Sequence, residues 1–405
     1  MKIVHQGRWT RADRARGSWP RLPFEVPPGT SAVEVELTVA DPAAVLDLGC
    51  EGAAGWRGWS GGARRRYAIT PTAATPGYLP GEPEAGTWHV ILGLHRVPES
   101  GVDYTVTVRL GGEPVVEPER PAPPVPQRPP RRELPAAAGL RWVAADFHAH
   151  TLHSDGELTV PELAANAVAA GLDALAVTDH NTVAHHAELA DVGSRYGIAL
   201  IPGQEVTTEY GHANAFGDIG WVDFRTPAAD WVTTVEARGG LLSVNHPLAA
   251  DCAWRHPLPV RPPLAEVWHS SWLAPEWGGP VSWWQAWGMS TTPIGGSDWH
   301  RDDGTRLGVP TTWVAVDADA PDLAGAVLDG LRAGRTAVSA GRDAPVLLPV
   351  DGELVALGAA GALVVGAGSR RAVHSDRDTI SRSGAGGHVL CDHDGRVFSL
   401  AGEPR

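Results

Sequence analysis

Between residue 140 and about residue 345 the chain repeats one pattern: a short apolar run, a polar group at its end, then a stretch of helical character. Leu140–Ala145 runs into Asp146-Phe147-His148-Ala149-His150, and Ala174–Val177 into Thr178-Asp179-His180-Asn181. Ile198–Ile201 leads to Pro202-Gly203-Gln204-Glu205, Gly240–Val244 to Asn245-His246-Pro247, and Thr292–Gly296 to Ser297-Asp298-Trp299-His300. Helices are predicted over Val160–Ala170, with Thr159 as a cap and Glu162 three residues on, over Ala184–Tyr196, and over Ala320–Ala333 before Arg335–Ser339. Alternating strands and helices predict an α/β fold with a parallel sheet, closed as a barrel or open. In a barrel, side chains at the carboxyl ends of several strands converge on one mouth.

The first motif shows why that matters. Residues i and i+2 of a strand share a side, so His148 and His150 point the same way. Two imidazoles there make half of a metal site. Asp155 follows in a turn closed by Gly156 and can reach back over the same mouth. The polar groups at the other strand ends, with His212 after them, complete a set of nine: His148, His150, Asp155, His180, Glu205, His212, His246, Asp298 and His300. Imidazole and carboxylate are what borderline and hard divalent ions take from a protein. At four to six ligands per ion, with one carboxylate shared, the set suits two or three ions. Cysteine is missing from it, which leans away from a closed structural zinc site.

The chain has 405 residues, enough for two domains and a small appendix. Residues 1–112 predict an all-β domain: Val33–Val39, Thr87–Leu94 and Tyr104–Leu110 alternate, with Gly- and Pro-rich turns between them. It resembles a small jelly-roll-like sandwich and shows no catalytic cluster, which makes it a structural or substrate-shaping module. Residues 113–139 hold Pro114, Pro118, Pro121, Pro123, Pro124, Pro126, Pro129, Pro130 and Pro135 and read as a stiff, extended linker. Residues 346–405 read as a small β-rich extension with strands at Val346–Val350, Leu363–Val365 and Val397–Leu400. Cys391-Asp392-His393-Asp394 reads there as a solvated turn.

The formal net charge of -14 argues against nucleic acid and anionic lipid as default partners and leaves a small-molecule substrate. Cys50, Cys252 and Cys391 are too few and too scattered for a disulfide framework. Met1–Arg16 has no apolar segment of the signal-peptide kind, and no run reaches the ~20 apolar residues of a membrane span. Cytoplasm is the expected location. The oligomeric state is open.

On these motifs, in this order over residues 145–345, the chain resembles the PHP (polymerase and histidinol phosphatase) superfamily of metal-dependent hydrolases. Glu205-Val206-Thr207-Thr208 followed by Gly211-His212-Ala213-Asn214-Ala215-Phe216-Gly217, together with the β-rich N-terminal domain, is similar to its CehA/McbA-like branch. The resemblance implies a distorted (βα)7 barrel over residues 140–345 and a di- or trinuclear centre of Mn, Zn or Fe. It implies one ion on His148, His150, Glu205 and Asp298; a second on Glu205, His212 and His246, with Glu205 bridging; and a third on Asp155, His180 and His300. Glu205, Asp298 and His153 are the candidate catalytic side chains, and clustered ions predict a metal-bridging hydroxide that attacks in one step. Phosphoester hydrolysis of a small organic phosphate is the leading expectation. Hydrolysis of carbamate, ester or amide bonds in an apolar molecule is the alternative, and a non-catalytic metal-binding protein the third.

Other residues have plainer readings. Asp179 orients a histidine or caps a helix, and His153 steadies Asp155 or protonates a leaving group. His185, His186, His256 and His269 read as ordinary histidines. Arg301, Arg306, Arg335 and Arg342 read as surface before phosphate binders. Trp268, Trp272, Trp277, Trp283, Trp284 and Trp287 wall a pocket or form a local core.

Overall fold

The structure is a computed structural model that describes residues 1–116 and 120–405. Pro118 of the expected linker lies outside them. The chain divides into two compact units: residues 1–121 with 150–159 and 179–187, and residues 122–149 with 160–178 and 188–405. Among the described residues, no helix is long and apolar enough to cross a membrane.

In the first unit the alternating sequence becomes two antiparallel four-stranded sheets. One runs in the order Lys2–Trp9, Val102–Leu110, Val33–Val39, Arg66–Ile69; the other Arg21–Val26, Gly86–Arg96, Val45–Gly52, Gly55–Gly61. Val33, Val35 and Leu37 of one sheet and Leu46, Leu48, Trp88, Val90 and Leu92 of the other share a single core. Strict alternation makes this possible: one side of each strand is apolar and the other is free to meet water.

In the second unit a long sheet carries the motif strands. Its order is Thr292–Gly296, Leu264–His269, Leu241–Val244, Gly211–Phe216, Ala199–Thr208, Ala174–Val177, Leu140–Asp146, Thr311–Asp317, Thr336–Ser339. The expected parallel pairing holds for Ala174–Val177 with both neighbours and for Leu264–His269 with both of its own. It fails around Gly211–Phe216, which is antiparallel to both neighbours, and at Thr311–Asp317. The sheet is mixed because a two-residue turn, Glu209-Tyr210, folds Ala199–Thr208 straight back on itself. That strand is longer than expected, so Glu205 lies inside it rather than beyond its end.

The run of strands curls back on itself. Thr312 Oγ1 accepts from Gly295 N at 2.8 Å and donates to Gly295 O at 3.0 Å. Side-chain hydroxyls make this link, and among the described residues no backbone ladder joins the two strands. Val143, Ala145, Ala174, Ala176, Ile201, Phe216, Leu241, Leu264, Ile294, Val314 and Val316 form one core, each strand of the curl contributing. Helix Leu323–Arg332, shorter than the expected 320–333, lays Val327 and Leu331 on the same core.

In the proline-rich segment, residues 113–116 and 120–137 have no regular structure. From residue 122 on it is pinned within the second unit. Arg132 donates to the carbonyls of Arg342 and Ala344 (2.9 and 2.8 Å), Tyr196 OH donates to Pro123 O (2.6 Å), and Arg342 donates to Pro130 O. Residues 346–405 continue the long sheet through Val397–Ala401, His388–Cys391, Leu363–Gly366 and Ser369–Ala372, and add a separate three-stranded sheet. Asp392–Arg396 is a turn, with His393 82% exposed.

Candidate metal centre

Glu205 is the hub of the second unit. Its side chain is fully buried, and its Oε1 stands 3.1 Å from His148 Nε2, 3.1 Å from His212 Nδ1 and 3.2 Å from His246 Nε2. Asn245 Nδ2 donates to the same oxygen at 2.9 Å. Asp298 approaches the same nitrogen, with Oδ1 at 3.1 Å from His148 Nε2. His148, His212, His246, Glu205 and Asp298 therefore converge. His300 stays beside Asp298, its Nδ1 2.8 Å from the Asp298 carbonyl oxygen.

Local structure explains the convergence. Asp146, fully buried, accepts from the backbone N–H groups of His148 (3.2 Å), Ser297 (3.0 Å) and Gly308 (2.8 Å). That one carboxylate ties the end of the His148 strand to the end of the Asp298 strand. Burial pushes its pKa up, and the N–H groups work against that. At Gly296 a Cβ would run into Glu266 and His148, so the close approach of the two strands needs glycine there. His246 and Asp298 sit at φ 26° and 51°, in left-handed backbone that bulky side chains avoid.

Two residues of this cluster escaped the sequence reading. Glu266, on strand Leu264–His269, accepts from His246 N (2.8 Å) and stands 3.0 Å from His148 Nδ1. Fixing the far nitrogen of a ligand histidine aims the near one. His269, taken as ordinary, stands 3.2 Å from Asp298 Oδ2 and shares a group of converging donor atoms with His148 and Asp298. The signal was present: a lone glutamate and a terminal histidine in an apolar run. Cys252 also joins, its Sγ 3.4 Å from His246 Nδ1.

The electrostatics ask for a cation. Burial works against charge on His148, yet Asp298, Glu266 and Glu205 outweigh it and hold the imidazole well above its ordinary range. His246 is raised too: burial opposes charge, and the contacts with Cys252 and Glu205 overcome it. Carboxylates crowded in a buried space need positive charge, from protons or from an ion. The donors are imidazoles and carboxylates whose ligating atoms lie within 4.8 Å of one another in several groups, and divalent ions fit them.

The first unit holds a second cluster, of His150, Asp155 and His180. The rings of His150 and His180 stack at 4.4 Å, and His180 Nε2 is 3.6 Å from Asp155 Oδ1. Asp179 holds the two loops together. It accepts from Thr151 N (2.8 Å), Thr151 Oγ1 (2.6 Å) and Ser154 Oγ (2.6 Å), and His185 Nδ1 lies 3.2 Å away. Its role is orientation of the loops rather than helix capping. His153 Nδ1 accepts from Gly77 N at 3.1 Å, which puts the proton of the neutral ring on Nε2. His256 is a packed histidine bonded to Thr208 Oγ1 at 2.8 Å, and burial pushes its pKa down to about 4.

Beside His246 and His269 a cavity of about 330 Å³ is lined by Pro247, Leu248, Val267, Trp272, Trp277 and Pro280. The tryptophan-rich stretch thus divides. Trp272 and Trp277 wall this cavity, Trp268 and Trp284 are core, and Trp283 stacks on Trp287 at 5.0 Å.

Residues 146–243 match the family description "PHP domain". Over 68 residues the chain is 46% identical to the 5'-3' exoribonuclease Rnm of Escherichia coli, and over 65 residues 40% identical to a 5'-3' exoribonuclease of Haemophilus influenzae. Each match covers 16% of this chain and 23% and 24% of those proteins, so the chain spans about a quarter of the length of the curated relatives it matches. A two-domain protein of Bacteroides vulgatus containing a predicted PHP-like metal-dependent phosphoesterase aligns with a TM-score of 0.40 at 18% identity, over 69% of this chain and 92% of that one.

Proposed function

This chain carries a PHP domain, and from that premise we propose that it is a metal-dependent hydrolase of small molecules, acting on a phosphoester of an organic phosphate. The observation that carries the reading is one buried carboxylate oxygen, Glu205 Oε1, within 3.2 Å of nitrogens from His148, His212 and His246. The ligand assignment by motif order belongs to the proposal: His148, His150, Glu205 and Asp298; Glu205, His212 and His246; Asp155, His180 and His300. So does the reading of the curled sheet as a distorted (βα)7 barrel.

Bound Mn, Zn or Fe ions would supply a water of lowered pKa and neutralise charge on the oxygens of the attacked bond. The chain's own residues do the rest. Glu205 would be shared between neighbouring ligand sets, and Asp298 meets the same His148 nitrogen as Glu205. Glu266 sets the His148 ring. His153, whose Nδ1 accepts from Gly77 N, would in this reading protonate the leaving group from Nε2. The cavity beside His246 takes the organic part of the substrate, and its walls favour an apolar group. Net charge of -14 disfavours nucleic acid as that substrate, although the matched relatives are exoribonucleases.

One observation favours a second reading. Among the described residues no lysine or arginine lines the cavity, and a phosphoryl group is ordinarily met by cations beside the metals. An uncharged carbamate, ester or amide has no such need. Elemental analysis followed by a panel of nitrophenyl phosphates, esters and carbamates with the reconstituted protein separates the two. Turnover of phosphates alone upholds the first reading, and turnover of esters or carbamates alone replaces it with the second. Absence of any bound divalent ion would remove both.

A further inference from the structure

The β domain of residues 1–112 offered no chemistry in the sequence. Yet both loops that bear the second cluster, 150–159 and 179–187, fall within its compact unit. The reason is a small set of directed bonds. Arg64, between strands Gly55–Gly61 and Arg66–Ile69, donates from Nη1 to Ser154 O at 3.0 Å and from Nη2 to Leu152 O at 2.5 Å. Those carbonyls lie on either side of His153, in the turn that leads to Asp155. Gly77 completes the grip from another direction: its N–H donates to His153 Nδ1 at 3.1 Å, and its carbonyl accepts from Thr182 Oγ1 at 2.8 Å, two residues past His180. Gly77 has φ +94°, and a Cβ there would lie 2.5 Å from the carbonyl oxygens of both His153 and Trp59. Only glycine gives that approach.

We propose that Arg64 and Gly77 are positioning residues for the cation held by His150, Asp155 and His180, so that the β domain is a working part of the metal site. The two loops need such support. They are not strands of a ladder, and the Asp155 side chain is 45% exposed. Asp179 joins one loop to the other, and an exposed turn of this kind gains from a further anchor on the β domain. The guanidinium supplies it by binding main-chain carbonyls, whose position does not depend on a side-chain rotamer. An outer contact of this kind ordinarily sets the affinity of the ion inside it.

The inference rests on the reading that these side chains bind a metal, and its test separates the two. Full-length wild type, Arg64→Met, Arg64→Lys and Thr182→Ala are stripped with chelator and titrated with Mn(II), with bound metal counted and thermal unfolding of the ion-free proteins recorded alongside. Arg64→Met is expected to weaken the loosest ion about 10- to 100-fold and leave the tighter ions and the ion-free melting curve unchanged. Arg64→Lys should recover part of the loss, and Thr182→Ala should show a smaller one. Wild-type affinity for every ion in Arg64→Met overturns the proposal, as does equal weakening of all ions in step with a lowered melting temperature. A wild type that takes up no Mn(II) overturns the hydrolase reading itself, and this inference with it.

Discussion

The two ligand clusters are built in opposite ways. Around Glu205 the donors come from strands or strand ends, His148 and Glu205 are fully buried, and backbone amides and Glu266 fix the geometry. Around Asp155 the donors ride on loops, His180 and Asp155 are 19% and 45% exposed, and their closest approach is 3.6 Å. The first cluster concentrates carboxylates where water cannot screen them, so it holds its cation need whether or not an ion is present. The second is screened by solvent and depends on what holds its loops. Clustered metal sites are therefore expected to fill in order here, the strand-built one first.

Glu205→Gln tests this contrast most severely. It removes the oxygen shared by three histidines, and activity should fall by more than the ~100-fold that loss of an outer partner reaches, with tight metal lost in the elemental count. An unchanged metal count would show that the hub is not a ligand. Glu266→Gln should cost about 10- to 100-fold in affinity for the tight ion, while the loosest ion, measured in the same titration, stays as it was. Equal weakening of both would mean the clusters are not separable. Asp155→Asn should be milder, about 10-fold in the affinity of the loosest ion, with no change in melting temperature because the group is half in water.

The smallest effect is a pH drift of the ion-free protein. His148 and His246 are raised above their unfolded value of ~6.5. Raised groups stabilise the fold fully below that value and lose the contribution as pH climbs through their folded values. The melting temperature of chelator-stripped protein should therefore fall as pH rises above about 6.5, while metal-loaded protein stays level because the ion stands in for the protons. A level curve for the stripped protein would mean the carboxylates are neutralised in some other way.

Much of the strand-built cluster could be read from the chain, because His148, His246 and Asp298 each follow an apolar run and turn residues mark the run's end. Glu266 and His269 gave only a faint signal, for a physical reason. Strand Leu264–His269 is buried at every position, so it shows no alternation, and its glutamate looks like a surface residue until its partners are known. The hairpin at Glu209-Tyr210 was equally silent, since neither residue is the Asn or Gly that tight hairpin turns favour. The support that the β domain gives to the second cluster spans 76 to 105 residues of sequence, from Arg64 or Gly77 to the loops, and no local pattern encodes it.

The left-handed backbone at His246, Asp298 and Asn181 narrows how this site can drift over time. Asn, Asp and His tolerate that conformation better than other side chains with a Cβ. The main chain thus filters candidates before coordination chemistry does, and the survivors are oxygen and nitrogen donors. Drift at these positions should exchange one polar donor for another or end in glycine, while a branched aliphatic would be refused by the peptide geometry alone. Saturation libraries at 246 and 298, scored for folded protein without regard to activity, would make that filter visible.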